Sequence, residues 1–318
     1  MVCDERRRIA SLIARPGTGR SGRSRALLRA AVGCVLILAV TGRGGASGSS
    51  VSLARESSTP PGWAETASAS GGSTYTLLQM NLCLSGFAGC YGKVAYPAGV
   101  EEAAARIRAA HPDAVTLNET CQGDVARIAR STGYRLRFSA VTASGEPLRC
   151  VRPGGRGLFG DAVLTKSTIA STDSHDFKAQ AGIEWRRWLC VSTRVGVDVC
   201  TAHLATRSTT QAVGNDAQCA ELTALLERRA ASRTVIFGGD VNRSSACAPE
   251  RSWTRTDASA DQAPGLQGVY GIGALRSPEA EVVPAIRTDH DGLLVRARLT
   301  PGVSAEHEQA FPAGESDG

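Results

Sequence analysis

Five apolar runs in this chain read as buried strands, and each meets a residue that a hydrophobic core would not choose. "TLLQMN" ends at Asn81, "DAVTLNE" at Glu119, "VDVCTAH" at His203 and "TVIFGGDVN" at Asp240 and Asn242. The last run, "GLLVRARL", begins directly after the cluster Asp289, His290 and Asp291. Strand side chains alternate with period two, so apolar runs of this length pack a sheet while their ends stay free for chemistry. Between the strands lie helix-patterned stretches. "GVEEAAARIRAAH" places Val100, Ala104 and Ile107 on one face, and helices are also expected around "DVARIARST" and over "AVGNDAQCAELTALLERRA". Further strands are expected near 134–140, 158–165, 185–194 and 197–203. Hairpins mixed with crossover helices predict an α/β (α+β) fold with mixed sheets, without internal repeats.

Residues 75–299 hold these elements and form one domain. Hydrophobic residues make up 42% of the 318, enough for a sizeable core. Residues 1–46 read as a signal peptide: Arg23, Arg25 and Arg29 precede the apolar run Ala30–Thr41, and small residues up to Ala46 supply a cleavage position. A run of twelve is short for a membrane span, so an uncleaved membrane anchor is the alternative. Residues 47–74, rich in Ser, Gly, Thr and Pro, read as a disordered linker, and 300–318 as a disordered acidic tail. The leader removes most of the case for a polyanion partner from charge alone. It carries +7 of the formal +6, and residues 75–299 keep only +4.

Cysteine usage points the same way. Outside the leader there are eight cysteines and no CxxC pair, so the pattern suggests disulfides in an oxidising compartment rather than zinc. "WLCVSTRVGVDVCTAHL" reads as two strands turning near Val195-Gly196, which sets Cys190 opposite Cys200. Cys83 with Cys90 would close a small loop. The chain is therefore expected to be secreted.

Taken together, the strand-end residues supply carboxylates (Glu119, Asp240, Asp289), carboxamides (Asn81, Asn242) and imidazoles (His203, His290). Such a set suits a hard divalent cation, Mg²⁺ or Mn²⁺, beside groups that move protons near neutrality. Phosphate-ester cleavage needs both. Any one of these residues alone is ordinary turn or cap chemistry; the inference rests on the set.

The segments "QMN", "LNET", "GLFGDAVLTK", "EWRRW", "CTAHLAT", "GGDVNR" and "RTDHDGLL" resemble, in order, the endonuclease/exonuclease/phosphatase superfamily. The resemblance implies a deoxyribonuclease-I-like fold, a four-layer sandwich of two packed mixed β-sheets flanked by helices. It also implies that Asn81, Glu119 and Asp289 hold the metal, Glu119 as the main ligand. Asp240 and Asn242 would contact the metal, the nucleophile or the phosphate. His290 would take a proton from the attacking water, while His203 bonds the phosphate or protonates the leaving oxygen. Two positions depart from the family pattern. Gln267 or Gly268 stands where an Asp usually orients the base, with Asp257 or Asp261 as substitutes from elsewhere. Asp161 stands where an Asn is common. Asp161, Arg186 and Arg243 are candidates for the substrate phosphate, as are Arg152, Arg156 and Arg187.

The function expected is a secreted, metal-dependent phosphoesterase, a monomeric nuclease with DNA or RNA as substrate and no stable protein partner. The alternatives are a sphingomyelinase-like or phosphoinositide-phosphatase-like enzyme of the same fold, and a non-catalytic binding module. A lipid-directed enzyme would expose aromatic loop tips, for which Trp253 is the candidate.

Overall fold

The structure, a computed structural model, describes residues 73–300. The expected leader, the linker up to residue 72 and the tail from residue 301 lie outside the described residues. Strand β1 (Ser73–Asn81) is followed by the short helix α1 (Tyr91–Val94), α2 (Ala98–Ala110), β2 (Ala114–Cys121) and α3 (Gln122–Thr132). Next come β3 (Arg135–Ala140), β4 (Thr142–Ala143), β5 (Glu146–Pro147), β6 (Phe159–Thr165), β7 (Ile169–Asp176), β8 (Glu184–Trp185), β9 (Arg187–Thr193) and β10 (Val197–Ala202). The long helix α4 (Ala212–Ala230) leads to β11 (Thr234–Asp240), β12 (Trp253–Thr256), β13 (Gln267–Ile272), β14 (Leu275–Val283) and β15 (Gly292–Leu299).

Two six-stranded sheets result, in the orders β14-β15-β1-β2-β6-β3 and β12-β13-β11-β10-β9-β7. Each is mixed: β1 runs parallel to β2, and β10 parallel to β11, among antiparallel neighbours. The period-two alternation decides what each face buries. Leu78, Met80, Val115 and Leu117 cover the outer face of the first sheet, under Ile107 of α2 and Ile128 of α3. Phe237 and Tyr270 do the same on the second sheet, under Leu222 and Leu226 of α4. Leu77, Ala114, Val199, Ile236, Val269 and Leu293 fill the space between the sheets. Helices, sheet, sheet and helix make the four layers expected.

All eight cysteines among the described residues are paired: Cys83–Cys90, Cys121–Cys150, Cys190–Cys200 and Cys219–Cys247. The expected hairpin is present, with Cys190 directly across from Cys200 in the β9–β10 ladder. Among the described residues no helix is long and apolar enough to cross a membrane.

Some elements escape a search for apolar runs. β1 begins at Ser73, inside the stretch expected to be linker, because Ser73 pairs with Leu299. β7 and β14 lie at sheet edges with mostly exposed, polar residues, which carry little apolar signal. The candidate loop tip around Trp253 is instead strand β12. Its Trp253 is no exposed tip: the indole lies over Gly271, where a Cβ would fall 2.0 Å from the ring, and its N–H donates to Leu275 O at 3.1 Å.

Candidate active site

The inner face of each central strand changes character along its length. On β1 it reads Leu77, Gln79, Asn81; on β2 Ala114, Thr116, Asn118; on β10 Val199, Thr201 and then His203 just beyond; on β11 Ile236, Gly238, Asp240. The antiparallel strands run the other way, Val163 to Asp161 on β6 and Val269 to Gln267 on β13. One end of the inter-sheet space is thus oily and the other polar, and all these polar side chains are buried. Gly238 makes the meeting possible: a Cβ there would lie 2.3 Å from Thr116 Oγ1 and 2.8 Å from Leu77 Cδ2 across the gap. Gly238 serves close sheet approach here, beyond any part in a turn.

Glu119 reaches the site by a different device. The β2–β6 register shifts between Leu117 and Thr120, and Glu119 adopts φ +53°. This bulge turns its side chain out of the alternation and into the cleft. A non-glycine residue in the left-handed region costs about 1 kcal/mol, a strain that collects at functional sites.

A cleft of about 280 Å³ is lined by Glu119, His203, Asp240, Asn242, Asp289 and His290. Asp240 Oδ2 is its hub. Asn81 Nδ2 donates to it at 3.0 Å and to Glu119 Oε1, also at 3.0 Å. His290 Nε2 lies 3.6 Å from Asp240 Oδ2 and 3.9 Å from Asp289 Oδ1. His203 Nε2 stands 4.0 Å from both Glu119 Oε1 and Asp240 Oδ2. The seven strand-end residues therefore converge. Asn81 turns its NH₂ group to the carboxylates, while its carbonyl oxygen accepts from Cys83 N at 3.1 Å; this makes it a clamp on Glu119 and Asp240. Asn242 is held by its own amide, with Nδ2 donating to Leu204 O at 2.9 Å.

The Asp-His-Asp cluster divides its work. Asp289 and His290 face the cleft. Asp291 instead accepts from the backbone of Asp261, Gln262 and Ala285 and from the Gln262 side chain, tying two loops together.

The phosphate candidates fare differently. Arg186 lines the cleft, yet its Nη1 is engaged by Glu184 Oε1 at 2.7 Å and His203 Nδ1 at 2.8 Å. Asp161 sits behind the cleft, accepting from Asn118 Nδ2 at 2.9 Å. Arg243 points to Asn215 and Asp216 at 3.2 and 2.9 Å and does not line the cleft. Arg156 is a buried structural cation, paired with Asp124 at 2.7 Å.

Glu184, not singled out in the sequence, also lines the cleft. Gln79 and Asn118 lie just behind it, and an amide inside an otherwise apolar strand was the signal that could have found them. At the position expected for an orienting Asp, Gln267 Nε2 lies 3.1 Å from His290 Nδ1. Asp257 stands one step back, accepting from Gln267 N at 2.9 Å.

Electrostatics follow from burial. Burial pushes the Glu119 carboxyl up to about 7, against the Asn81 hydrogen bond and with help from Glu184 and Asp289. His203 is pushed well below its ordinary range, first by burial, then by the Arg186 and His290 charges. A guanidinium has no acceptor, so His203 Nδ1 takes the hydrogen from Arg186 and the ring's own proton sits on Nε2. His203 is thus a neutral donor, suited to bonding a phosphoryl oxygen. Cys83 and Cys90 also place sulfur atoms within 4.8 Å of the Glu119 carboxylate, but as a disulfide they are not metal ligands.

Residues 89–302 match the family model described as Endonuclease/Exonuclease/phosphatase family. No curated protein matches the sequence. Among solved structures, truncated TDP2 from Caenorhabditis elegans superposes with a TM-score of 0.54 at 16% identity, covering 71% of this chain and 98% of that one. An endonuclease/exonuclease/phosphatase from Beutenbergia cavernae gives 0.53 at 18% identity, covering 71% and 72%. D. rerio TDP2 complexed with a single-strand DNA product gives 0.50 at 14% identity, covering 71% and 99%. At these identities the likeness is one of fold.

Proposed function

Since the chain belongs to the endonuclease/exonuclease/phosphatase family, we propose that it is a secreted, divalent-metal-dependent phosphoesterase. In this reading it is a nuclease that cleaves phosphodiester bonds by in-line attack of water. The observation that carries the reading is the convergence of Glu119, Asp240, His203 and His290 around one cleft.

The donor set fits a hard cation. Burial and two neighbouring carboxylates work against a charged Glu119, and a divalent ion there would relieve that penalty. Glu119 and Asp289 would hold Mg²⁺ or Mn²⁺, with Asn81 keeping Glu119 in place. When bound, the ion supplies charge to neutralise what develops on the phosphate oxygens. The chain's own groups do the rest. His203 Nε2–H bonds a phosphoryl oxygen. Asp240 and Asn242 lie beside the place of attack, and the water's proton goes to His290 or to the Asp240 carboxylate next to it.

The D. rerio TDP2 structure holding single-strand DNA supports a nucleic-acid substrate for this fold. The packed position of Trp253 removes the aromatic tip that the sequence offered for a lipid surface; Trp185, between the cleft residues Glu184 and Arg186, is exposed. Four disulfides support secretion, and a monomer is the form expected.

The purified chain should degrade DNA, RNA or a model phosphodiester with Mg²⁺ or Mn²⁺ and stop in EDTA. Glu119→Gln should lower turnover by about 10²-fold or more, in keeping with the loss of one charge-stabilising group. Equal rates in EDTA would remove the metal from the reading. Sphingomyelin cleaved in place of nucleic acid would move it to the lipid-directed class.

A further inference from the structure

The tautomer of His290 can be traced back to a group that cannot be reversed. The backbone N–H of Asp240 is a donor only, and it points at the Asn118 side chain at 2.8 Å. The atom facing it must therefore be Oδ1, which leaves Asn118 Nδ2 toward the Asp161 carboxyl at 2.9 Å and Thr201 at 3.3 Å. Asn118 Oδ1 also faces the Gln79 amide at 2.7 Å, so Gln79 presents Nε2 to it. The Gln79 carbonyl oxygen accepts from Thr116 Oγ1 at 2.5 Å. The second hydrogen on Gln79 Nε2 goes to Gln267 at 2.9 Å, which must receive it on Oε1. Gln267 is left with Nε2 directed at His290 Nδ1, 3.1 Å away.

Gln79, Asn118 and Gln267 are all 0% exposed, so water cannot repair a mismatch. Reversing any one amide sets donor against donor or acceptor against acceptor, a penalty of about 1–3 kcal/mol for each buried group left unpaired. The orientation therefore propagates from strand β11 through β2, β1 and β13 to the imidazole. On the ring's other side stand two acceptors, Asp240 Oδ2 at 3.6 Å and Asp289 Oδ1 at 3.9 Å. Both sides of the ring favour the same arrangement.

We propose that the buried amide relay Asn118–Gln79–Gln267 fixes the proton of neutral His290 on Nε2, so that His290 enters the cleft as a hydrogen-bond donor. Its consequence for catalysis rests on the phosphoesterase reading. His290 and His203 then present matching Nε2–H groups to a phosphoryl group, one set by Gln267 and the other by Arg186. A ring with its proton on Nε2 cannot accept a second one there from water. The proton of the attacking water leaves by another acceptor, and the Asp240 carboxylate is within reach. Gln267 is thus a positioning residue. It occupies the slot of the orienting Asp but reverses its polarity, donating to Nδ1 where a carboxylate would accept.

Ring ¹⁵N resonances read this directly. The full chain, uniformly ¹⁵N-labelled and freed of metal with EDTA, is examined by long-range ¹⁵N–¹H correlation at mildly alkaline pH. The His290 signals are assigned by their loss in His290→Gln. An unprotonated Nδ1 and a protonated Nε2 are expected. Gln267→Glu keeps the shape and replaces the donor by an acceptor, so it should move the proton to Nδ1. A protonated Nδ1 in the unmodified chain, or an even mixture, would overturn the proposal, as would a Gln267→Glu spectrum with the native pattern. The unmodified chain decides the matter even where the variant fails to fold. Because the spectrum does not depend on turnover, an inactive chain would count against the phosphoesterase reading and not against the tautomer.

Discussion

Asp161 is 3% exposed on the inner face of β6, and burial pushes its carboxyl up to about 7 despite the Asn118 hydrogen bond and the Arg186 charge. Its ordinary value is 3.8. Between roughly pH 4 and pH 7 the folded chain therefore keeps a proton that the unfolded chain gives up. The stabilisation is fully present below about pH 4 and is lost as pH rises through about 7. Asp161→Asn preserves the acceptor for Asn118 Nδ2 and removes the titration. The variant should match the native chain near pH 4 and exceed it at pH 8 by on the order of a few kcal/mol. Urea unfolding at both pH values checks this. Glu119 titrates in the same range, so only the difference between the two chains isolates Asp161. A native chain as stable as the variant at pH 8 would show that Asp161 is ionised at little cost.

At the scale of elements, the site depends on how closely β11 approaches β1 and β2. Gly238→Ala would drive a methyl group against Thr116 Oγ1 and Leu77 Cδ2. Overpacking of this kind costs about 1–3 kcal/mol, and displacing Thr116 would also loosen the Gln79 amide it holds. A thermal melt should show the loss, with Gly154→Ala, which meets nothing within 4 Å, changing stability by no more than about 0.5 kcal/mol. The glycine pair before Asp240 stands out in the sequence, but on its own suggests only a tight turn. What it does is set by the strands opposite, which no local pattern names. The bulge at Glu119 is similar. "TLNET" continues an apolar run into a carboxylate, yet the residue faces the cleft only because β2 and β6 slip register there.

At the scale of the whole molecule, the four disulfides among the described residues tie the sandwich. Cys121–Cys150 and Cys219–Cys247 close stretches of 29 and 28 residues, the other two much shorter ones. Replacing Cys121 and Cys150 together by Ala should lower stability by about 2–5 kcal/mol, read as an earlier melting point. Non-reducing mass spectrometry should find all eight cysteines between Cys83 and Cys247 paired; free thiols throughout would undo the case for an oxidising compartment. The sequence alone determined the strand-and-helix alternation, the Cys190–Cys200 hairpin and the strand-end residues Asn81, Glu119, His203, Asp240 and His290. Those are consequences of side-chain period and local composition, which a linear string records. Only the tertiary structure decided that Gln79 meets Gln267, 188 residues away, that Arg186 turns to His203, and that Arg243 turns elsewhere. Such contacts depend on strand order and on two sheets packing face to face, and a hydrogen bond of 3 Å is settled by that packing rather than by anything nearby in the chain.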